Sequence, residues 1–437
     1  MHQLTRTRSG FASGRWRWLL TLIAAAAVVA AACGGEEEEG GETPGATQAP
    51  EETGALKIGV LVPFTGDLSD FGPAFFNAAK LAAKEINAAG GVNGQPVELV
   101  QGDTGTNPEQ GVNEARRLIE VEGVDAIIGA AASGVTLPIA ESVTGPNQIV
   151  QISPSATSPA LTDANDNDFL FRTTISDAAQ GVVLAALAQE LGYGSVCTLY
   201  TNNAYGQGLS GVFAEKFAEL GGTVSAQVPH EQEQASYASE VAQCVQGGPQ
   251  AMAAISYPES ARVYLREAVE QGSVQNFLFV DGTKSGEMFA DLGWEHFEGM
   301  YGTAPGALDT AVGDAFDAAY EAEYGERPQL PFLRESYDAV YVIALAAQKA
   351  GSNNSVAIRD ALRDIANPPG TTINPGSEGW QAALEALANG EDINYEGAAS
   401  PADFDENGDV LKGAIEVWRI ENGAIVVKET REIDLSQ

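Results

Sequence analysis

The chain is predicted to be an α/β protein built as two doubly wound lobes, and three features of its sequence predict this. Short β-rich runs alternate with helical spacings along most of the length, the alternation restarts in mid-chain, and residues 55–437 are more than one hydrophobic core usually serves. Strands separated by helices of this length pair in parallel, because a parallel neighbour is reached only through a crossover connection. No sequence repeat accompanies the restart, so the duplication is one of architecture.

Taken in order, the first lobe opens with a strand over 56–62 ended by Pro63, and a loop then leads to Phe75, Ala79, Ala82 and Ile86 at helical spacing. Gly90 and Gly91 stop that helix. After a strand over 97–100, Asn107 is placed as an N-cap, Pro108 at the first helical position and Gln110 as the partner in a capping box. The pattern continues through a strand at 126–128, a helix after Ser133, a strand at 149–152 and, beyond Arg172, a helix carrying Val182, Val183, Leu184 and Leu187. It restarts with a strand at 196–200 and a helix reaching Leu220. Strands at 223–228, 252–255 and 277–280 follow, separated by helices that end at Val245 and Gln271. Beyond Gly302, helices over 311–324 and 335–349 resume. The segments 414–418 and 424–427 flank Glu421-Asn422-Gly423 and read as a hairpin, Asn-Gly being a strong turn signal.

Before the first strand, Arg6, Arg8, Arg15 and Arg17 precede an apolar run over 19–32, which reads as a signal peptide of residues 1–32. The run is shorter than the roughly 20 apolar residues of a membrane span. It ends in Ala30-Ala31-Ala32-Cys33-Gly34, and small residues before a cysteine resemble the lipobox of bacterial lipoproteins. That resemblance implies cleavage before Cys33, a lipid on its sulfur, and an extracytoplasmic protein anchored to the cell membrane. Residues 33–54 carry glutamates at 36–39 among Gly, Thr, Pro and Ala with no apolar periodicity, and read as an acidic disordered tether.

With 23 basic and 60 acidic residues the net charge is −37, which repels phosphate backbones and excludes nucleic acid as a partner class. Cys197 and Cys244 remain beyond Cys33, and in an exported protein such a pair is either one disulfide or two reduced buried thiols. Of the three histidines, His2 leaves with the signal, so His230 and His296 suggest neither a metal cluster nor a serine triad, and no G-x-S-x-G elbow occurs. Asp403, Asp405, Asn407 and Gly408 copy the first half of a calcium loop, but its twelfth position is Ala414 instead of a bidentate glutamate. The best enzymatic motif is Gly206-Gln207-Gly208-Leu209-Ser210-Gly211, a G-x-G-x-x-G with Glu231 beyond it. A dinucleotide fingerprint needs its first glycine at the strand end, whereas residues 201–205 intervene here. The expectation is a protein without catalysis, metal or cofactor, with an NAD-binding enzyme as the distant alternative.

Phe64-Thr65-Gly66, Phe71-Gly72, the run 85–94 and Asp103 resemble the leucine/isoleucine/valine-binding proteins that serve ABC importers. The resemblance continues through Ile127-Ile128-Gly129, the run 153–159, Phe171-Arg172-Thr173-Thr174, Asp177, Gln180-Gly181, Tyr205-Gly206-Gln207-Gly208 and the stretch 405–413, covering essentially all of 56–428. It implies a type I periplasmic-binding fold, two Rossmann-like lobes joined by three crossovers with a ligand in the cleft. Crossings are then expected near Thr174, Gly302 and Lys412. One lobe takes 55–174 and 303–411; the other takes 175–302 and 412–437.

The same resemblance implies a ligand site. Ser133, Ser155 and Thr157 of the first lobe would hold a carboxylate, and the positions of Ser133 and Thr157 at helix entrances support this through the positive ends of the helix dipoles, although ordinary N-capping alone explains such residues. Tyr205, Tyr257 and Asp281 would come from the second lobe, Asp281 meeting an ammonium at the carboxyl end of its strand, with a helix-capping aspartate as the plain reading. Phe71 and Phe332 would wall the side-chain pocket or serve as core. The implied function is ligand capture for a membrane permease, with a branched-chain-like amino acid as ligand. An amide, urea-like or other small carboxylate solute, or a sensory ligand-binding subunit, are the alternatives on the same fold.

Overall fold

The computed structural model describes residues 54–308 and 310–435. The expected signal segment, the expected lipidation site Cys33 and the expected tether through residue 53 lie outside them. Among the described residues the strands form three sheets. The first contains β1 (Leu56–Val62), β2 (Val97–Asp103), β3 (Ala126–Gly129), β4 (Val150–Ser153) and β5 (Leu170–Arg172), all parallel, in the order β2-β1-β3-β4-β5. β1 and β3 are near-continuous buried apolar runs, as strands covered on both faces tend to be, β4 is wholly buried but alternates Val150 and Ile152 with Gln151 and Ser153, and the edge strand β2 is half exposed.

The second sheet repeats the plan with β6 (Ser195–Thr201), β7 (Thr223–His230), β8 (Ala251–Ile255), β9 (Phe277–Phe279) and β10 (Tyr301–Gly306), parallel in the order β7-β6-β8-β9-β10. The chain then leaves it. Helices Ala311–Tyr324 and Leu333–Ala350 return to pack on helix Gly72–Ala88 of the first lobe. A small parallel ribbon of β11 (Thr371–Ile373) and β12 (Ile393–Tyr395) follows. Finally β13 (Lys412–Glu421) pairs antiparallel with β10, and β14 (Ala424–Asp434) closes the expected hairpin.

Two expectations are corrected in detail. β10 runs through Gly306, past the expected crossing at Gly302, because its pairing with β13 continues to Ala414. The capping box before helix Pro108–Arg117 is half made: Asn107 accepts from the Gln110 N–H, but the Gln110 side chain donates to the Asp103 carbonyl. Cys197 on β6 and Cys244 at the end of helix Ala238–Cys244 are joined in a disulfide, both fully buried. Among the described residues no helix is long and apolar enough to cross a membrane.

Candidate functional site

Each parallel sheet has one place where neighbouring strands send their connections to opposite faces, between β1 and β3 in the first sheet and between β6 and β8 in the second. Crevices open there at the carboxyl ends of the strands. A small cavity is lined from both. The loop after β1 supplies Leu68 and Phe71, the connection after β3 supplies Ala131, Ala132 and Ser133, and Ser155 follows β4. From the second lobe come Tyr205 after β6, Tyr257 after β8, and Asp281 with Gly282 after β9. Phe75 and Phe332 complete the lining.

Asp281 is the charged member of this lining, which contains no Lys, Arg or His. Its Oδ1 accepts from the Tyr205 hydroxyl at 2.8 Å and from Gln180 Nε2 at 2.9 Å. Burial raises the Asp281 carboxyl above its ordinary range, and these hydrogen bonds hold it back in part. Burial also raises the Tyr205 hydroxyl well above its usual value, so Tyr205 remains a donor. The Tyr205 and Tyr257 rings stack at 5.4 Å, with Asn203 Nδ2 donating to the Tyr257 hydroxyl at 3.2 Å.

Opposite the acid, Ser133 opens helix Ser133–Ile139, and its Oγ accepts from the Ser158 N–H at 3.2 Å, leaving the hydroxyl proton free for an acceptor in the cavity. Ser155 Oγ donates to the Ala131 carbonyl at 3.1 Å. Thr157 is not brought to the cavity. It is fully buried, and its hydroxyl donates to Asp177 Oδ2 at 2.9 Å. Asp177 is a residue that sequence reasoning had only as a family marker. Its carboxyl is raised well above the ordinary range by burial and then by nearby Asp281, and its Oδ1 has no hydrogen-bond partner. Thr157 therefore supports a buried acid behind the site. Gln180, also quoted only as a marker, orients Asp281 directly. Both sit on helix Asp177–Glu190, which begins just past the first crossover, and that position was the signal available for them.

The remaining wall is apolar. Phe71 and Phe75 meet edge to face at 5.8 Å, and Phe75 and Phe332 at 6.4 Å, beside Leu68. Phe332 holds a left-handed backbone, φ 70°, ψ 12°, at the entrance of helix Leu333–Ala350. Bulky residues seldom occupy that region, and the Ser336 N–H and hydroxyl both donate to its carbonyl. Leu68 and Phe75 were not singled out from sequence, because an apolar residue in a pocket carries the same pattern as one in a core.

The competing motifs resolve into structure. Gly206 lies inside helix Ala204–Glu219, where a Cβ would come within 2.1 Å of the Thr201 carbonyl oxygen, so its glycine serves close helix–strand packing. At Gly208 a Cβ would approach Pro159 of the other lobe at 2.9 Å. In the 403–409 turn, Asp405 Oδ1 accepts from the N–H groups of Asn407 and Asp409, while Asp409 pairs with buried Arg172. Among the described residues no cluster of three or more His, Cys, Asp or Glu could hold a metal.

A family model described as periplasmic binding protein matches residues 55–384. The Leu/Ile/Val-binding protein homolog 1 of Brucella abortus (strain 2308) is 29% identical over 309 residues, covering 70% of this chain and 82% of that protein. The chemotactic signal transduction system substrate-binding protein BasB of Halobacterium salinarum is 27% identical over 357 residues, covering 80% and 83%. Among solved structures, the leucine binding protein LivK of Thermotoga maritima superposes with a TM-score of 0.73 at 27% identity, covering 86% of this chain and 99% of that one.

Proposed function

This chain belongs to the periplasmic binding protein family, in its leucine/isoleucine/valine-binding type I branch, and from that premise we propose that it is the extracytoplasmic binding component of an ABC importer that closes its two lobes around an amino acid with an apolar side chain. The observation that carries the reading is Asp281: a buried carboxylate in a cavity that no basic side chain lines. Burying such a charge without a partner is costly, so the site is complete only with a cation in it. Ser133 and Ser155 lie across the cavity as partners for a carboxylate, Ser155 by turning its hydroxyl from the Ala131 carbonyl. Leu68, Phe71, Phe75 and Phe332 suit an aliphatic side chain. Together they match a zwitterion with a small apolar group.

The mechanism follows from the two sources of the lining. In the open form the carboxylate docks on the first lobe. Closure then brings Asp281 and the two tyrosines onto the ammonium and excludes water. Neither lobe alone supplies both charges' partners. Family members are substrate-binding proteins and not enzymes, and we extend that to this chain. We likewise infer, from Ala30-Ala31-Ala32-Cys33, that a lipid on Cys33 keeps the protein beside its permease. A second reading, a sensory ligand-binding subunit, is favoured by the resemblance to the chemotactic substrate-binding protein of Halobacterium salinarum, and uses the same cavity. A thermal-shift screen of the amino acids, with amides, small carboxylates and NAD as counterscreens, tests the proposal. Aliphatic amino acids are expected to raise the melting temperature by mass action, and stabilisation by NAD alone would overturn it.

A further inference from the structure

The loop leaving β1 carries two cavity-wall residues, Leu68 and Phe71, each preceded by an acid, Asp67 and Asp70. Neither acid lines the cavity. Both reach across to the second lobe. Asp67 Oδ1 accepts from the Ser260 N–H at 2.8 Å, the Ser260 hydroxyl donates to Asp67 Oδ2 at 2.7 Å, and the Glu259 N–H donates to the Asp67 carbonyl at 3.3 Å. Asp70 Oδ2 accepts from Arg262 at 2.9 Å and from the Ser285 hydroxyl at 2.7 Å.

Glu259 and Ser260 provide the first amides of helix Pro258–Gln271. The amides at a helix start have no partner within the helix, and an N-cap side chain ordinarily supplies one. Here the N-cap residue is Tyr257, whose side chain makes no capping hydrogen bond and lines the cavity instead. The cap comes from the other lobe. Ser260 is itself held in place by the Tyr237 hydroxyl, which donates to its Oγ at 2.8 Å.

We propose that Asp67 is a closure latch: helix Pro258–Gln271 acquires its N-terminal cap only when the lobes close, so the movement that seats Tyr257 against the ligand also completes the helix behind it. The inference rests on the reading of the molecule as one that closes around a ligand. Asp67 touches no ligand in this scheme and is a positioning residue. It acts by raising the closed fraction, and apparent affinity scales with that fraction. Desolvation pushes the buried Asp67 carboxyl up to about 7, so the cost of burying the acid offsets part of what its hydrogen bonds contribute, and the latch biases closure without locking it.

The test uses the full chain labelled at Val121 and Leu220, exposed positions on the first and second lobes, with interlobe distances measured with and without L-leucine for the parent, Asp67→Ala, Ser260→Ala and the double variant. Each single variant is expected to lower the closed-to-open ratio and the leucine affinity together, by about fivefold to a hundredfold, the range for leaving one buried polar partner unmatched. The double variant is expected to be little worse than either single one, because the two side chains form one interaction. Unchanged distances and unchanged affinity in both single variants would overturn the latch. Ser260→Ala keeps the backbone N–H and carries the test alone if Asp67→Ala does not fold. If leucine and the other amino acids fail to bind while the variants still open the lobes, the ligand reading falls and the latch stands.

Discussion

Asp281 follows β9 into a cavity whose other polar side chains are hydroxyls, and the proposed chemistry of the site follows from that single charge. Replacing it removes the ammonium partner and nothing of the apolar wall. Asp281→Ala is expected to weaken amino-acid binding by roughly tenfold to a hundredfold, the worth of a charge-assisted hydrogen bond in a closed site, with calorimetry as the measurement. The pH dependence has a definite sign. Burial raises the Asp281 carboxyl to about 6, and only the ionised form pairs with an ammonium. Affinity is therefore expected to be flat above that value and to fall by about tenfold per pH unit below it, as a proton must leave for each ligand bound. In the ligand-free protein the raised carboxyl binds its proton more tightly when folded than when unfolded. Its contribution to stability is then lost as pH rises from about 4 to about 6, whereas at saturating ligand, which holds the carboxyl ionised, the melting temperature is expected to stay nearly flat there. The position of Asp281 in the cavity was legible in the sequence because an acid just beyond a strand end, in an α/β alternation, sits at the crevice of such folds. The hydroxyl direction of Thr157 was not legible for a physical reason: a threonine at a turn before Pro159 has the same pattern whether its hydroxyl faces a cleft or a buried acid twenty residues on.

The elements that carry the site were legible because strands such as β1 and β3 are near-continuous apolar runs and helices such as Pro108–Arg117 have clear caps. What sequence could not give was sheet order. The crevices exist because β1 lies between β2 and β3, and β6 between β7 and β8, and nothing in the apolar pattern of one strand states its neighbour. Strand ends were blurred for a related reason: β10 owes its last residues to β13, more than a hundred positions later. The bridge between Cys197 and Cys244 ties β6 to the helix before β8, closing a sequence separation of 47 residues. A loop of that size is expected to contribute about 4 kcal/mol by restricting the unfolded chain. Reduction, or the paired substitution of both cysteines by alanine, should lower the denaturation midpoint accordingly; an unchanged midpoint would show that the bridge does not restrain the unfolded state. Because the bridge lies away from the cavity, ligand affinity of the folded reduced protein is expected to be preserved.

At the scale of the molecule, two lobes of the same strand order face one another through their crevices, and under the proposed reading each brings half of what a zwitterion requires. That division accounts for a cavity lined by short loops from both sheets, for glycine at Gly208 where the lobes meet, and for Asp67 and Asp70 gripping the second lobe just before the wall residues Leu68 and Phe71. It also sets the most direct test. Calorimetry should compare L-leucine with 4-methylpentanoate, which lacks the ammonium, and with 3-methylbutylamine, which lacks the carboxylate. Leucine is expected to bind and both half-ligands to lose at least about tenfold, since each leaves one charged or polar partner in the closed cavity unmatched. Binding of 4-methylpentanoate as tight as that of leucine would contradict it, because Asp281 would then have no cation to meet.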